Sequence, residues 1–449
     1  MMKKLFLAMV LLASFSLGAL VVKAQQTDNE NPLFNTLLNR IDSPAINKSF
    51  KFDAFPTTKY NTGRDEVQIT ILVDDYVFPY YMSTDGQYVL VSGFGGGGAF
   101  WSAATGLIPY GDATGNGISD SGVIAGYFDN PEVTWNGDPV QCAGTWSPVT
   151  QNWEFLGMNP AANLFSTDYS TGWGISADNN VVAGMQYISY TDYKAFKWTP
   201  GGGYDMIGNL HSEGSRASGV SADGSKIYGW AQTSFPRTPA IWYNNQMILI
   251  DNTQGGEAFG ASADGNYVTG TIGSLGFIWS VDSPLVTFPN SINSGTMSPT
   301  CVTNDGTVFG FNNEMFPPIP WGRRAFVRDN QGNMITFNDY AESRGLPNAQ
   351  AWTFYSINHA TPDGNKVIGA AITPEGEDIS FLMEFSGSSP ALPGDANCDG
   401  SVDVLDAIAI SNYVLGHNPQ PFCFENADIN GDGEINLHDI IGTINLILN

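Results

Sequence analysis

Val220-Ser221-Ala222-Asp223-Gly224-Ser225-Lys226-Ile227-Tyr228-Gly229 is the stretch whose reading decides the fold. Asp-Gly is a turn signal: Gly takes positive φ without steric cost, and the Asp side chain can bond its own following backbone. The β-formers after the turn then read as a strand. The pattern returns at Ser83-Thr84-Asp85-Gly86, Ile118-Ser119-Asp120-Ser121-Gly122, Ile175-Ser176-Ala177-Asp178-Asn179, Ala261-Ser262-Ala263-Asp264-Gly265, Val302-Thr303-Asn304-Asp305-Gly306 and Ala360-Thr361-Pro362-Asp363-Gly364. From Asp85 to Asp363 the seven copies are spaced by about 46 residues, the length of a four-stranded propeller blade.

A second strand follows each turn and pairs a small residue with an aromatic or aliphatic one. It reads Ala99-Phe100-Trp101, Gly144-Thr145-Trp146, Ala195-Phe196-Lys197-Trp198, Ala240-Ile241-Trp242, Gly276-Phe277-Ile278-Trp279 and Arg324-Ala325-Phe326. Alternation at period two marks half-buried antiparallel strands. The expectation is therefore a mainly β chain: a β-propeller of about seven blades over residues 66–386, then a small α-helical module with two EF-type loops. The 51 glycines, 12% aromatics and only 14% charged residues fit many short strands joined by tight turns.

The repeated Asp reads as structural, because a turn is needed in every blade and a catalytic group only once. Trp and Phe at a fixed blade position read as inter-blade core. Off-pattern aromatics, Trp135, Trp173, Tyr187, Tyr190, Tyr193 and Trp321, are the candidates for a ligand patch on the top face.

The chain opens with Lys3 and Lys4, an apolar run from Leu5 to Val22, and Val22-Lys23-Ala24 as a cleavage point. Residues 1–24 read as a secretory signal peptide and 25–65 as an N-terminal segment. No later run of about 18 apolar residues predicts membrane insertion. The expected destination is secreted or extracellular, with the periplasm and cell surface as alternatives. Net charge is −26, from 44 acidic and 18 basic residues, which argues against nucleic acid because phosphate neutralisation needs clustered Lys and Arg.

Enzyme signatures are weak. His211, His359, His417 and His438 lie in no HExxH, HxH or triad-like setting, and no Gly-x-Ser-x-Gly elbow occurs. Gly95-Gly96-Gly97-Gly98 lacks the Lys-Ser/Thr of a nucleotide loop and reads as a hairpin turn. The expectation is a non-catalytic binding protein. The alternative is a polysaccharide-active enzyme on a propeller scaffold, a hydrolase or lyase whose paired carboxylates are set by the fold and not by spacing.

The clearest chemistry follows a short linker at 387–392. Asp395-Ala396-Asn397-Cys398-Asp399-Gly400-Ser401-Val402-Asp403-Val404-Leu405-Asp406 repeats 33 residues later as Asp428-Ile429-Asn430-Gly431-Asp432-Gly433-Glu434-Ile435-Asn436-Leu437-His438-Asp439. Both are twelve-residue calcium loops. Ca²⁺ takes six to eight oxygens, from side chains at positions 1, 3 and 5, a carbonyl at 7 and an acid at 12, with Gly at 6 for the turn. Asp395, Asn397, Asp399, the Ser401 carbonyl and Asp406 fill these roles in the first loop. Asp428, Asn430, Asp432, the Glu434 carbonyl and Asp439 fill them in the second, so two ions are expected. Asp403 and Asn436 at position 9 act through water in this reading. Val402 and Ile435 at position 8 suit a short strand between the loops. Helices are predicted over roughly Leu405 to Leu415 and His438 to Leu448.

Cys398 and Cys423 lie in this module and would close a short loop, so they are expected to pair. Cys142 and Cys301, far apart in sequence, read as buried thiols.

Residues 80–386 resemble the HAF family of extracellular repeats through the Ser-x-Asp-Gly turns and Ala-Phe-x-Trp strands. Phe337-Asn338-Asp339-Tyr340, with Ala341 to Leu346, is similar to that family's short helix before its last repeat. Lys194, Pro239 or Arg324 stands where the family name has His. The resemblance implies an exported propeller without defined chemistry. Residues 393–449 resemble the type I dockerin domain, which implies calcium binding and docking to cohesin modules of extracellular complexes, often on polysaccharides. Cys398 stands in place of the usual Gly at loop position 4. Val404-Leu405 and Leu437-His438 replace polar pairs common in cohesin recognition. The partners expected are a cohesin-like protein or the propeller itself, and a glycan.

Overall fold

The computed structural model describes residues 58–60, 67–74, 77–93, 97–160, 163–189, 192–208, 214–232, 237–251, 253–292, 295–313, 323–385, 393–397, 401–417, 419, 422–430 and 433–448. The expected signal peptide, most of the 25–65 segment and the linker lie outside them, as do Tyr190, His211, Trp321, Cys398, Asp399 and Asp432.

Seven antiparallel sheets form a seven-bladed propeller. Six blades take four consecutive strands each, over 77–109, 114–155, 170–205, 214–249, 256–288 and 296–336. The seventh combines Thr353–Ala360, Lys366–Ile372 and Asp378–Phe385 with Val67–Asp74 as its fourth strand and Thr58–Tyr60 as a fifth. Val67–Asp74 pairs with Asp378–Phe385 from Val67↔Phe385 to Asp74↔Ile379, which closes the ring between two distant parts of the chain.

The first strand of each blade touches the first strand of the next all the way round, so these inner strands wall an axial channel. Apolar clusters fill each interface between blades. Leu90 and Phe100 of the first blade pack with Ile118, Ile124 and Trp146 of the second, and Tyr228 and Ile241 of the fourth pack with Ala258, Val268 and Phe277 of the fifth. The small residue of each Ala-Phe-x-Trp strand allows close approach, and the aromatic one supplies the buried area. Helix α1 (Phe337–Ser343), capped by Thr336, leads into the last blade, where the sequence predicted a short helix.

The C-terminal region is helical: α2 (Val404–Val414), α3 (Phe424–Ala427) and α4 (Leu437–Leu448). The two long helices begin one residue earlier than predicted. Ala396, Ala409, Ile410 and Ala427 form their core, with Phe422, Ile435 and Ile440 packed against it. The short strand expected at Val402 and Ile435 is not formed among the described residues. The neighbouring N–H groups of Asp403 and Asn436 donate to the Asp406 and Asp439 carboxylates of their own loops, both at 2.8 Å.

Candidate functional sites

The repeated turn of the propeller is held by its own Ser or Thr hydroxyl and its Asp carboxylate. In the first blade Ser83 Oγ donates to Asp85 (2.7 Å) and accepts the Tyr88 N–H (3.0 Å), while Asp85 accepts the Gln87 N–H (2.9 Å). The same three bonds recur at Ser176 with Asp178, Ser221 with Asp223, Ser262 with Asp264 and Thr361 with Asp363. The turn Gly has φ between 69° and 87°, and in the third copy Asn179 takes 65°. Asn tolerates that left-handed conformation better than other side chains do. In the second blade Ser121 occupies the usual Asp position, and Asp120 instead reaches the first blade, accepting Thr84 N–H and Oγ1 at 2.7 and 2.5 Å. These carboxylates are spent on turns and blade contacts.

The turns meet around one mouth of the channel. Asp120 N–H donates to Ala177, Ala177 to Ala222, Asp223 to Ala263 and Asn304 to Pro362, each carbonyl lying in the following blade. A cavity of about 70 Å³ lies there, lined in part by Tyr81, Tyr228, Cys301 and His359. That is space for a few waters. Burial pushes the Tyr81 phenol and the Cys301 thiol up to about 12 and His359 down to about 4. All three groups are therefore neutral at pH 7. His359 Nδ1 is buried without a hydrogen-bond partner, and its ring lies 5.7 Å from that of Tyr81.

Cys142 and Cys301 are free and buried, as expected from the sequence, and Cys423 is disulfide-bonded. Of the aromatics singled out as a patch, Tyr187 and Tyr193 lie together at 5.9 Å, and Tyr193 meets Trp230 at 5.6 Å. Arg216 lies 4.1 Å over Trp173 and also faces Trp230, which ties Trp173 to the same row. Arg216 further pairs with Glu257 of the next blade, so its charge is compensated. Trp135 packs elsewhere, against Val140, Cys142 and Tyr169. Sequence reasoning missed Arg216, Trp230 and Glu257, because they lie outside the repeat pattern.

In the C-terminal module Asp406 and Asp439, at position 12 of each loop, are both fully buried. Asp406 accepts the N–H of Asn397 (3.0 Å) and of Asp403; Asp439 accepts that of Ile429 (3.1 Å) and of Asn436. Asp395 is 4% exposed, and its carbonyl accepts Asn426 Nδ2 at 3.0 Å. Residues 393–449 carry nine carboxylates and no Lys or Arg, so the segment supplies no basic side chain of that kind to offset them. A concentration of buried acid without basic partners calls for a metal ion, because burying an uncompensated charge is costly. Among the described residues no group of three or more His, Cys, Asp or Glu side chains converges; Asp399 and Asp432, at position 5, are outside them.

The position-9 residues also have a role that the sequence reading omitted. Asp403 Oδ1 accepts the Leu405 N–H (2.7 Å) and forms a capping box with Asp406, and Asn436 Oδ1 accepts the His438 N–H (2.8 Å). Each loop is thereby joined to the start of its helix, and an Asx residue just before an apolar helix was the signal for such a cap.

Residues 393–448 match the dockerin type I domain family. No curated protein matches the chain. Solved structures similar to it include an oligogalacturonate lyase from Vibrio parahaemolyticus, at 12% identity over 73% of this chain and 96% of that one, with a TM-score of 0.43. A putative TolB from Agrobacterium tumefaciens shows 12% identity over 71% and 97%, with a TM-score of 0.37. TolB from Acinetobacter baumannii shows 14% over 72% and 80%, with a TM-score of 0.36. Likenesses this distant transfer no activity. The family match is confined to the C-terminal module; dockerin domains bind calcium, which supports a calcium-dependent docking module at residues 393–448. No described helix is long and apolar enough to cross a membrane.

Proposed function

We propose that this chain is an exported, non-catalytic binding protein whose propeller recognises a glycan and whose C-terminal module docks it, in a calcium-dependent way, to a cohesin-like partner. The observation that supports this most is the pair of acid-rich loops, each joined to a helix and without a Lys or Arg to balance it. Two Ca²⁺ ions are held, one by Asp395, Asn397, Asp399, the Ser401 carbonyl and Asp406, the other by Asp428, Asn430, Asp432, the Glu434 carbonyl and Asp439. When bound, each ion supplies the positive charge that these carboxylates lack. Asp403 and Asn436 hold the helix starts and approach the ions through water.

The helices present the docking surface. Val404 and Leu437, 60% and 63% exposed, occupy equivalent positions where each loop runs into its helix, and Ile408 and Ile441, both 49% exposed, occupy equivalent positions one turn further on. Exposed apolar residues repeated in this way are suited to a partner surface. The HAF-like reading of residues 80–386 and a role in polysaccharide use belong to the same proposal, as does export through residues 1–24.

The test is a pull-down with the calcium-loaded full chain against secreted and envelope proteins of the host, beside a chelator control and the Asp406→Ala/Asp439→Ala variant. A cohesin-like protein retained only with calcium and only by the parent chain is the expected result. Capture that survives both chelation and the double substitution would remove the calcium-dependent docking role.

A further inference from the structure

Every inner strand of the propeller contains a β-bulge at the same place, three residues before the turn Ser or Thr. The register slips at Tyr80, Asn116, Trp173, Ser218, Phe259, Thr300 and Asn358, one in each of the seven blades. A bulge leaves one residue unpaired and re-aims its side chain. Four of these residues are small and polar, and they stitch one blade to the next. Asn116 donates to the Gly172 carbonyl (2.9 Å), Ser218 to Glu257 (2.7 Å), Thr300 to the Ile357 carbonyl (2.7 Å) and Asn358 to the Pro79 carbonyl (2.7 Å).

The other three are aromatic and fall in alternate blades: Tyr80 in the first, Trp173 in the third and Phe259 in the fifth. Tyr80 is 49% exposed and Phe259 36% exposed. An inner strand is flanked by a blade on either face and by its own second strand, so away from its ends the solvent it meets is the axial channel. Tyr80 and Phe259 therefore turn their exposed surface to the channel, whereas the Trp173 ring lies under the Arg216 guanidinium of the next blade. A structural repeat alone would be served by Asn, Ser or Thr, as the other four blades show.

Arg323 stands beside this wall. Its Nε donates to Asn313 Oδ1 (3.2 Å) and its guanidinium lies 4.5 Å from the Phe311 ring; burial raises the Tyr80 and Tyr355 phenols, and the Arg323 charge opposes that rise. Unlike Arg216, it forms no ion pair among the described residues. In a chain of net charge −26, a half-buried arginine that pairs with no carboxylate among the described residues is suited to bind an anion. The chain's other charges act weakly at a distance, being screened beyond about 8 Å at physiological salt.

We infer that the inner-strand bulges build a saccharide-binding wall, with Tyr80 and Phe259 as platforms for sugar rings and Arg323 as the anchor for a sugar carboxylate. The ligand class is a uronate-containing oligosaccharide. This rests on the reading of the propeller as a glycan binder, and it adds the site and the acidic character of the ligand.

The test is calorimetric titration of the full chain with a panel of uronic acid hexasaccharides and their carboxyl-reduced counterparts, which keep linkage and ring shape and lose the charge. The expected result is binding of a uronate chain that weakens about tenfold or more on carboxyl reduction, the scale of a charge-assisted hydrogen bond. Arg323→Gln should erase that difference. Tyr80→Ala and Phe259→Ala, exposed changes that leave the thermal midpoint nearly unmoved, should each weaken both ligand sets about tenfold, as loss of a stacking or cation–π contact does. Equal affinity for acidic and reduced chains overturns the role of Arg323. Saccharide binding untouched by Tyr80→Ala and Phe259→Ala overturns the bulge wall while leaving glycan recognition intact. Absence of binding across the whole panel overturns glycan recognition by the propeller along with it.

Discussion

Ile69→Ala tests how the ring is closed. Ile69 lies on the strand that comes from the start of the propeller and completes its last blade, opposite Met383. It is 1% exposed and belongs to a cluster with Phe354, Phe381, Met383 and Phe385. Truncating a fully buried Ile leaves a cavity that the paired strand cannot fill, at a cost of about 2–5 kcal/mol. For a domain of this size each kcal/mol lowers the thermal midpoint by about 1.5–2 °C, so a fall of roughly 3–10 °C is expected. The assay is thermal unfolding followed by near-ultraviolet circular dichroism, with Gln68→Ala, a solvent-facing neighbour on the same strand, as the control expected to move the midpoint by about 1 °C. Equal midpoints for the two variants would show that residues 67–74 do not carry the closure, and the pairing with Asp378–Phe385 would have to be abandoned.

Other outcomes follow from the turns and the buried ionisable groups. Ser221→Ala strips a buried acceptor from the Lys226 N–H and a donor from Asp223, and should cost about 1–3 kcal/mol by urea unfolding. Ser221→Thr should recover most of it, because Thr303 and Thr361 serve other blades; failure to recover would refute the hydroxyl's role. His359 titrates near 4 in the fold against about 6.5 when unfolded, so the unfolded state takes the proton first as pH falls. Stability should drop between pH 6.5 and 4, by an amount on the order of 3 kcal/mol, and His359→Leu should flatten that slope; parallel slopes for variant and parent would contradict it. Cys142 and Cys301, both raised to about 12 by burial, should resist a thiol reagent at pH 8 until the chain unfolds, and rapid labelling of the native protein would place either thiol at the surface.

The propeller was legible because its turn chemistry is local. Ser, Asp and Gly within four residues build the same hydrogen bonds in blade after blade, and the spacing of the copies gives the blade length. What escaped reading is what local chemistry does not encode. The bulge residues share no residue type, since a bulge is a slip between two strands and not a property of either. The closing strand precedes the first turn motif and pairs with a partner some 300 residues away, and no short pattern announces such a contact. The second blade shows how a departure is absorbed: Ser121 replaces the turn Asp, and Asp120 serves the neighbouring blade. In the C-terminal module the ligand spacing was readable from the needs of a hard cation. The short strand expected at Val402 and Ile435 is not formed among the described residues, where the loop backbone turns instead to the carboxylates at position 12.

The measurement that tests the account most directly is calorimetric titration of calcium into the full chain after chelation, with helicity followed in parallel. The account predicts two bound ions per chain and a gain of helical signal, both lost in Asp406→Ala/Asp439→Ala because the buried ligands at the end of each loop are gone. Calcium uptake unchanged in the double variant, or no uptake by the parent chain, would contradict it.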